Sequence, residues 1–289
     1  MAGVDNRALS VMYNGSFLAT PGVPAGSTPI WTDFFLTPDN RLLNRTGTVW
    51  GSGIAAVGNV QYNTSNGDWT LGVATTSNGV GVIYNGNWLP TPGVPSGSKP
   101  VWSDFFLTPD NRLINRTGTV WGTGVATVGR VGYNNSGDWT LGVTTTSNGV
   151  GVIYNGNWLP TPGVPSGSKP VWSDFFLTPD NRLINRTGTV WGTGIATVGA
   201  VQFDNSGNWT LGVSTTSGGV GVLYNGNWLP ISGVPSGSTP VWSDFFLTPD
   251  HRLMNRQGTS WAGGIAVVGA VQDNNATGDW TVGLKTDHC

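Results

Sequence analysis

The stretch Gly79-Val80-Gly81-Val82-Ile83-Tyr84-Asn85-Gly86-Asn87-Trp88 returns residue for residue at Gly149–Trp158, and at Gly219–Trp228 with Leu223 in place of isoleucine. A short β-branched run closed by Asn-Gly reads as a strand entering a tight hairpin turn. A second landmark, Trp102-Ser103-Asp104-Phe105-Phe106-Leu107-Thr108-Pro109-Asp110, begins again at Trp172 and Trp242, with a close relative at Trp31. These starts lie 71, 70 and 70 residues apart, so four tandem copies fill the chain.

Tryptophans give a finer ruler. Steps of 19, 18 or 19, 19 and 14 residues recur in each copy, and fifteen of the sixteen positions they define are tryptophan. The exception is Phe17, in register 14 residues before Trp31. Aromatics held at fixed register are first of all the apolar anchors that each copy buries.

The two ends of the chain complement each other. Ala8–Phe17 matches Gly219–Trp228, and Trp280–Thr286 matches Trp209–Thr215, so the break falls in the turn of a hairpin. Pairing of the C-terminal strand with the N-terminal one rebuilds that hairpin and covers both exposed strand edges. An open solenoid would carry atypical capping copies instead. The expectation is one closed repeat domain, residues 1–289, with four repeats of about 70 residues. The first repeat is split between residues 8–78 and the C-terminal strand 280–286.

Composition fixes the class. There are 45 Gly, 18 Pro and 15 Trp, no Glu, and charged residues make up 10%. Short strands with Gly/Pro turns fit this usage, and amphipathic helices do not. In the third copy the expected strands are Trp139–Thr145, Val150–Asn155, Trp172–Leu177, Arg182–Asn185 and Ile195–Phe203. Thr178–Asn181 reads as a turn and Leu159–Pro170 as a loop. Four or five strands per copy, repeated radially, predict an all-β, closed four-fold ring, a four-bladed β-propeller with its terminal strands pairing to close it. A β-prism-like assembly, or eight smaller units from a half-repeat, stays open.

Several function classes fall away. The net charge is −2 without a basic stripe, which argues against nucleic acid. Apolar stretches are only a few residues long, so no membrane insertion is expected. Met1–Ser10 lacks the apolar core of a signal peptide, which predicts a cytoplasmic or non-classically released protein. Cys289, the single cysteine, reads as a free terminal thiol, and His251 and His288 as solvent-exposed. No cofactor or metal is expected, and oligomerisation is left open.

Of the 28 charged residues, 16 occupy four positions present in every copy, in the second copy Asp104, Asp110, Arg112 and Arg116. A catalytic centre gathers unlike residues at one place, whereas these are distributed four ways, so no enzyme is expected. Sugar binding needs aromatic faces with planar donors and acceptors beside them, and shallow sites gain from multivalency. The reading is therefore a multivalent lectin, with glycans on cell surfaces as partners and one site per repeat. The candidate residues are Trp50, Trp121, Trp191 and Trp261 with Asn44, Asn115, Asn185 and Asn255 and with Arg45, Arg116, Arg186 and Arg256. Glycines on both sides of Trp121 would leave a ring face open. A second candidate, Tyr84–Trp88, has a plain hairpin turn as its simpler reading. The alternatives are a structural or protein-binding propeller scaffold and a polysaccharide-active enzyme.

The segment from Trp102 to Leu113, an aromatic strand, a proline turn and a leucine strand, resembles the repeats of tachylectin-2-like β-propeller lectins. The resemblance spans about twelve residues per copy. It implies a propeller fold and metal-free binding of sugars, often N-acetylated ones, at one site per blade.

Overall fold

The computed structural model describes residues 8–133, 137–204, 206–274 and 277–287. His288 and Cys289 lie outside the described residues, as does most of the segment weighed as a signal peptide. The described chain is all strand, turn and loop, in eight antiparallel sheets. Four-stranded sheets span residues 28–52, 99–123, 169–193 and 239–262. Five-stranded sheets span 54–89, 125–159 and 195–229, and a fourth combines 265–286 with 9–18.

These sheets are the blades of an all-β propeller, eight of them, which corrects the four-bladed expectation. Each repeat folds as two blades because its nine strands divide between two meanders. The chain sorts into two compact units of four blades each. One is the contiguous segment Gly53–Gly194, and the other combines Met1–Ser52 with Ile195–Cys289.

The expected terminal pairing is present. Leu9–Tyr13 lies antiparallel to Asp279–Thr286, with Val11 opposite Gly283. It forms the hairpin that the other copies make within one continuous segment.

Successive residues of a strand point to opposite faces, and the Phe-Phe pair uses both. Phe105 packs into the 125–159 sheet against Val125, Leu141, Val143 and Ile153. Phe106 points the other way, onto Val82 of the 54–89 sheet. Ile153 and Val152 divide in the same manner, one toward the 99–123 sheet and one toward Phe176 and Ile184 of the 169–193 sheet. Each such fully buried side chain contributes about 1.5–3 kcal/mol. A sheet buried on both faces explains why so few polar residues alternate along these strands.

The strand expected at Trp172–Leu177 is in fact a hairpin. Lys169–Trp172 turns through Ser173 and Asp174 into Phe175–Leu177, with Trp172 paired to Phe175. The turn needs a left-handed residue, and Ser173 takes φ 49° there, as Ser103 and Ser243 do at 51°. Two further edge strands are present, Asn157–Leu159 and Val190–Thr193, and the strand expected at Ile195–Phe203 is broken at Gly199.

Candidate functional site

In every repeat the residues named from sequence lie on one hairpin, each with partners of its own. Asn115 ends the strand Arg112–Asn115, and its Oδ1 accepts from the Thr117 amide (3.1 Å), the Thr117 hydroxyl (2.8 Å) and the Thr119 amide (2.9 Å). Asn44 and Asn185 make the same three bonds, and Asn255 accepts from the Gln257 and Thr259 amides. This oxygen closes the turn.

Arg116 donates from Nη1 to the Pro90 carbonyl (3.3 Å) and lies 3.8 Å from the Asp104 carboxylate. Arg45, Arg186 and Arg256 repeat this with Asp33, Asp174 and Asp244. Burial pushes the Asp104 carboxyl above its ordinary range although Arg116 pulls the other way, and the three equivalents behave alike. Proximity of arginine alone would have kept them low, so desolvation wins here. The second carboxylate of each repeat shifts downward: the Thr108 hydroxyl and Arg112 hold Asp110 below its usual range.

Trp121 is half-buried between two blades. It packs edge-on to Trp139 (5.7 Å, 88°) and beside Phe105 (6.1 Å). Gly156 of the next blade lies on its ring, where a Cβ would stand 2.1 Å from Cε3. Gly15 lies in the same way on Trp261, which packs edge-on to Trp280 (5.8 Å, 85°). Trp50 packs on Phe34 and Trp191 on Phe175. No described oxygen or nitrogen accepts from the buried Nε1 of Trp121 or Trp261. Each has a perpendicular indole beside it, the class of contact in which an N–H uses a π face. The glycines flanking Trp121 make room for protein: Gly118 touches the backbone of Gly93, and Gly122 faces Ile153 and Trp158.

The exposed aromatics are elsewhere, in the hairpin whose simpler reading was a plain turn. Asn85 (φ 47°) and Gly86 (φ 83°) form it, as a pair with positive φ at both central positions. Trp88 follows on the edge strand Asn87–Leu89 and is 45% exposed. Trp158 (44%), Trp228 (49%) and Phe17 (55%) hold the same register. Register could place these rings but not tell surface from core. The signal that separates them is the glycine across the hairpin: a Cβ at Gly81 would stand 2.2 Å from Cζ3 of Trp88.

Polar groups brace the same turn. Asp68 accepts from the Tyr84 hydroxyl (2.7 Å) and the Asn85 amide (2.6 Å), while Asn85 Oδ1 accepts from the Trp69 backbone (2.8 Å). These bonds hold the Asp68 carboxyl below its ordinary range. Asn155 with Asp138, and Asn14 with Asp279, repeat the arrangement.

One carboxyl breaks the symmetry. Asp273 stands where the other copies have Tyr62, Tyr133 and Phe203. Burial pushes its pKa up to about 6, with a hydrogen bond from Gln202 acting against the rise. Its buried Oδ1 has no partner among the described residues. The Ser243 hydroxyl donates to Gln202 Oε1 (2.6 Å), which leaves the amide for Asp273. His251 is exposed, as expected, and its Nδ1 lies 2.8 Å from the Asp287 carboxylate. Among the described residues, no three His, Cys, Asp or Glu side chains are grouped to hold a metal ion. No helix is long and apolar enough to cross a membrane.

No protein-family model matches the chain, and no curated protein is similar to it. Among solved structures it is similar to one described as a "putative gluconolactonase", with 12% identity over 92% of this chain and 96% of that one, and a TM-score of 0.37. That printed name is an enzyme's and not a lectin's. The expectations of a lectin, of glycan partners and of a chain without catalysis are withdrawn on that finding. At this identity and TM-score no activity is carried over in their place. The propeller part of the resemblance stands, and its tachylectin-2-like part has no support.

Proposed function

We propose that the chain is a protein-binding propeller scaffold that engages its partner through the aromatic hairpins. The observation that carries this reading is the exposure of Trp88, Trp158, Trp228 and Phe17 on three-residue edge strands, each beside a braced turn. Tryptophan and tyrosine dominate the energetics of protein interfaces because a rigid ring desolvates a large area at low entropic cost. Tyr84 and Tyr154 are also exposed, which widens the aromatic surface. Edge strands further offer unpaired backbone groups to an extended segment. Four copies of one weak contact support avidity toward a repetitive partner.

A photo-crosslinking residue at Asn87, Asn157 or Asn227 identifies what docks there. The purified partner is then titrated against wild type and against a variant carrying Phe17→Ser, Trp88→Ser, Trp158→Ser and Trp228→Ser. A loss of affinity of roughly tenfold or more, with unchanged circular dichroism, supports the reading. Equal binding by the two proteins refutes it.

A second reading, catalysis, is favoured by Asp273. A carboxyl pushed up to about 6, with one oxygen unpaired among the described residues, is suited to general acid–base work. Product release from a polysaccharide panel by wild type, lost in Asp273→Asn, supports it. A folded wild type that releases nothing sinks it.

A further inference from the structure

Each repeat has two carboxylates that face an arginine, Asp104 with Arg116 (3.8 Å) and Asp110 with Arg112 (2.7 Å) in the second. The carboxylates of the aromatic hairpins differ. Asp68 accepts from the Tyr84 hydroxyl (2.7 Å), the Asn85 amide (2.6 Å) and the Asn66 amide (2.7 Å), all neutral donors. Asp279 likewise accepts from Tyr13, Asn14 and Thr277. Among the described residues, no lysine, arginine or histidine pairs with Asp68 or Asp279.

The turn does not require that charge. At the hairpin of Trp228 the same position is Asn208, whose Oδ1 accepts from the Asn225 amide at 2.6 Å. Asp68 and Asp138 accept from their asparagines at the same length. One hairpin in four thus keeps the brace with the charge removed. What a carboxylate adds at the others is a negative charge beside an exposed tyrosine, Tyr84 at 37% and Tyr13 at 41%.

The place of this charge beside the edge strand narrows the partner. Asn87–Leu89 ends its sheet, with Asn87 opposite Tyr84 and Trp88 opposite Ile83. Ser16–Leu18 does the same, with Ser16 opposite Tyr13 and Phe17 opposite Met12. The tyrosine therefore stands on one face of the edge and the exposed Trp88 or Phe17 on the other. A segment paired along the edge runs two strand spacings, about 10 Å, from the tyrosine strand. Lysine and arginine carry a cation across such a gap on a long stem, to a phenol ring and a carboxylate together. The residues between them turn to the opposite face and meet Trp88 or Phe17.

We propose that the hairpins of Trp88 and Phe17 bind an extended basic segment, lysine or arginine alternating with apolar residues, laid along the edge strand. This rests on the scaffold reading and specifies the charge of the partner. The hairpin of Trp228, with Asn208, is the weaker binder.

The test is a heteronuclear NMR titration of the full chain with acetyl-Lys-Val-Lys-Val-Lys-amide and, separately, with acetyl-Glu-Val-Glu-Val-Glu-amide, at constant ionic strength. The backbone amides of Trp88, Phe17 and Trp228 are followed. Saturable shifts with the basic peptide are expected at Trp88 and Phe17, and a midpoint roughly threefold to fivefold higher at Trp228. Asp68→Asn should bring Trp88 to the Trp228 value, and Asn208→Asp should bring Trp228 to that of Trp88. Equal midpoints for the two peptides, no saturation with the basic one, or midpoints unchanged by both substitutions overturn the proposal. Failure of the scaffold reading is a separate result, equal binding of the crosslinked partner by wild type and the four-serine variant. A partner lost by that variant but held by one carrying Asp68→Asn, Asp138→Asn and Asp279→Asn sinks the charge assignment alone.

Discussion

The indole of Trp88 lies against Gly81, so close that a Cβ on residue 81 would stand 2.2 Å from Cζ3. Gly151 with Trp158 (2.2 Å) and Gly221 with Trp228 (2.1 Å) repeat the contact. In the remaining copy both partners change together: Ser10 faces the smaller Phe17. The exposed ring therefore rests on a platform that only glycine leaves flat. Gly81→Ala is expected to destabilise the chain by about 1–3 kcal/mol, the usual range for overpacking. Adding Trp88→Phe, which copies the Ser10–Phe17 arrangement, should recover much of that loss. Urea unfolding of the two single variants and the double variant checks the coupling.

Trp121 and Trp158 should respond differently to truncation. Trp121→Ala removes a ring packed among Phe105, Trp139 and Gly156, and a loss of about 2–4 kcal/mol is expected. Trp158→Ala removes a half-exposed ring and should cost about 1 kcal/mol or less. Unfolding midpoints of the two variants give the ranking.

Asp273 sets a pH dependence whose sign can be worked out. The folded chain holds this proton up to about pH 6, while an unperturbed aspartate releases it near 3.8. The folded state thus binds more protons between those values, and stability falls as pH rises from 3.8 to about 6. Asp273→Phe, the residue found at Phe203, should abolish that slope and raise Tm at pH 7 by roughly 2–5 °C. Thermal melts of both proteins across this range decide it.

Iodide should quench part of the tryptophan emission, since Trp88, Trp158 and Trp228 are near half-exposed while Trp31, Trp102 and Trp242 are buried. Changing the three exposed rings to serine is expected to remove most of the quenchable fraction. A fraction unchanged by these substitutions would place the accessible indoles elsewhere.

Much of the architecture could be read from periodicity. The four repeats, the strands Trp139–Thr145 and Arg182–Asn185, and the joining of the terminal strands all follow from the register of the repeats. The blade count did not follow, because neither the hairpin turn at Ser173 that splits one expected strand in two nor the one-residue step at Gly194 from one blade to the next has a distinctive spelling. Ser173 adopts a left-handed φ without being glycine or asparagine, and its turn is held by backbone bonds to Arg130 that no local pattern announces. For the site residues, Asn115 and Arg116 look like free donors in the sequence. Their partners, Thr119 and the Pro90 carbonyl, belong to a turn and a loop that only the folded chain brings together. No motif in the sequence marks out Asp273, and only burial gives it meaning.

The pairing of Leu9–Tyr13 with Asp279–Thr286 imposes an order on biosynthesis. One four-blade unit is contiguous and can complete its sheets while translation proceeds, whereas the other must hold its first strands until the last ones emerge. A ribosome that stalls before Asp279 releases a chain whose opening strand has an unsatisfied edge, a ready template for another molecule in the same condition. Completion of Asp279–Thr286 thus decides whether Leu9–Tyr13 is sheltered or left to aggregate.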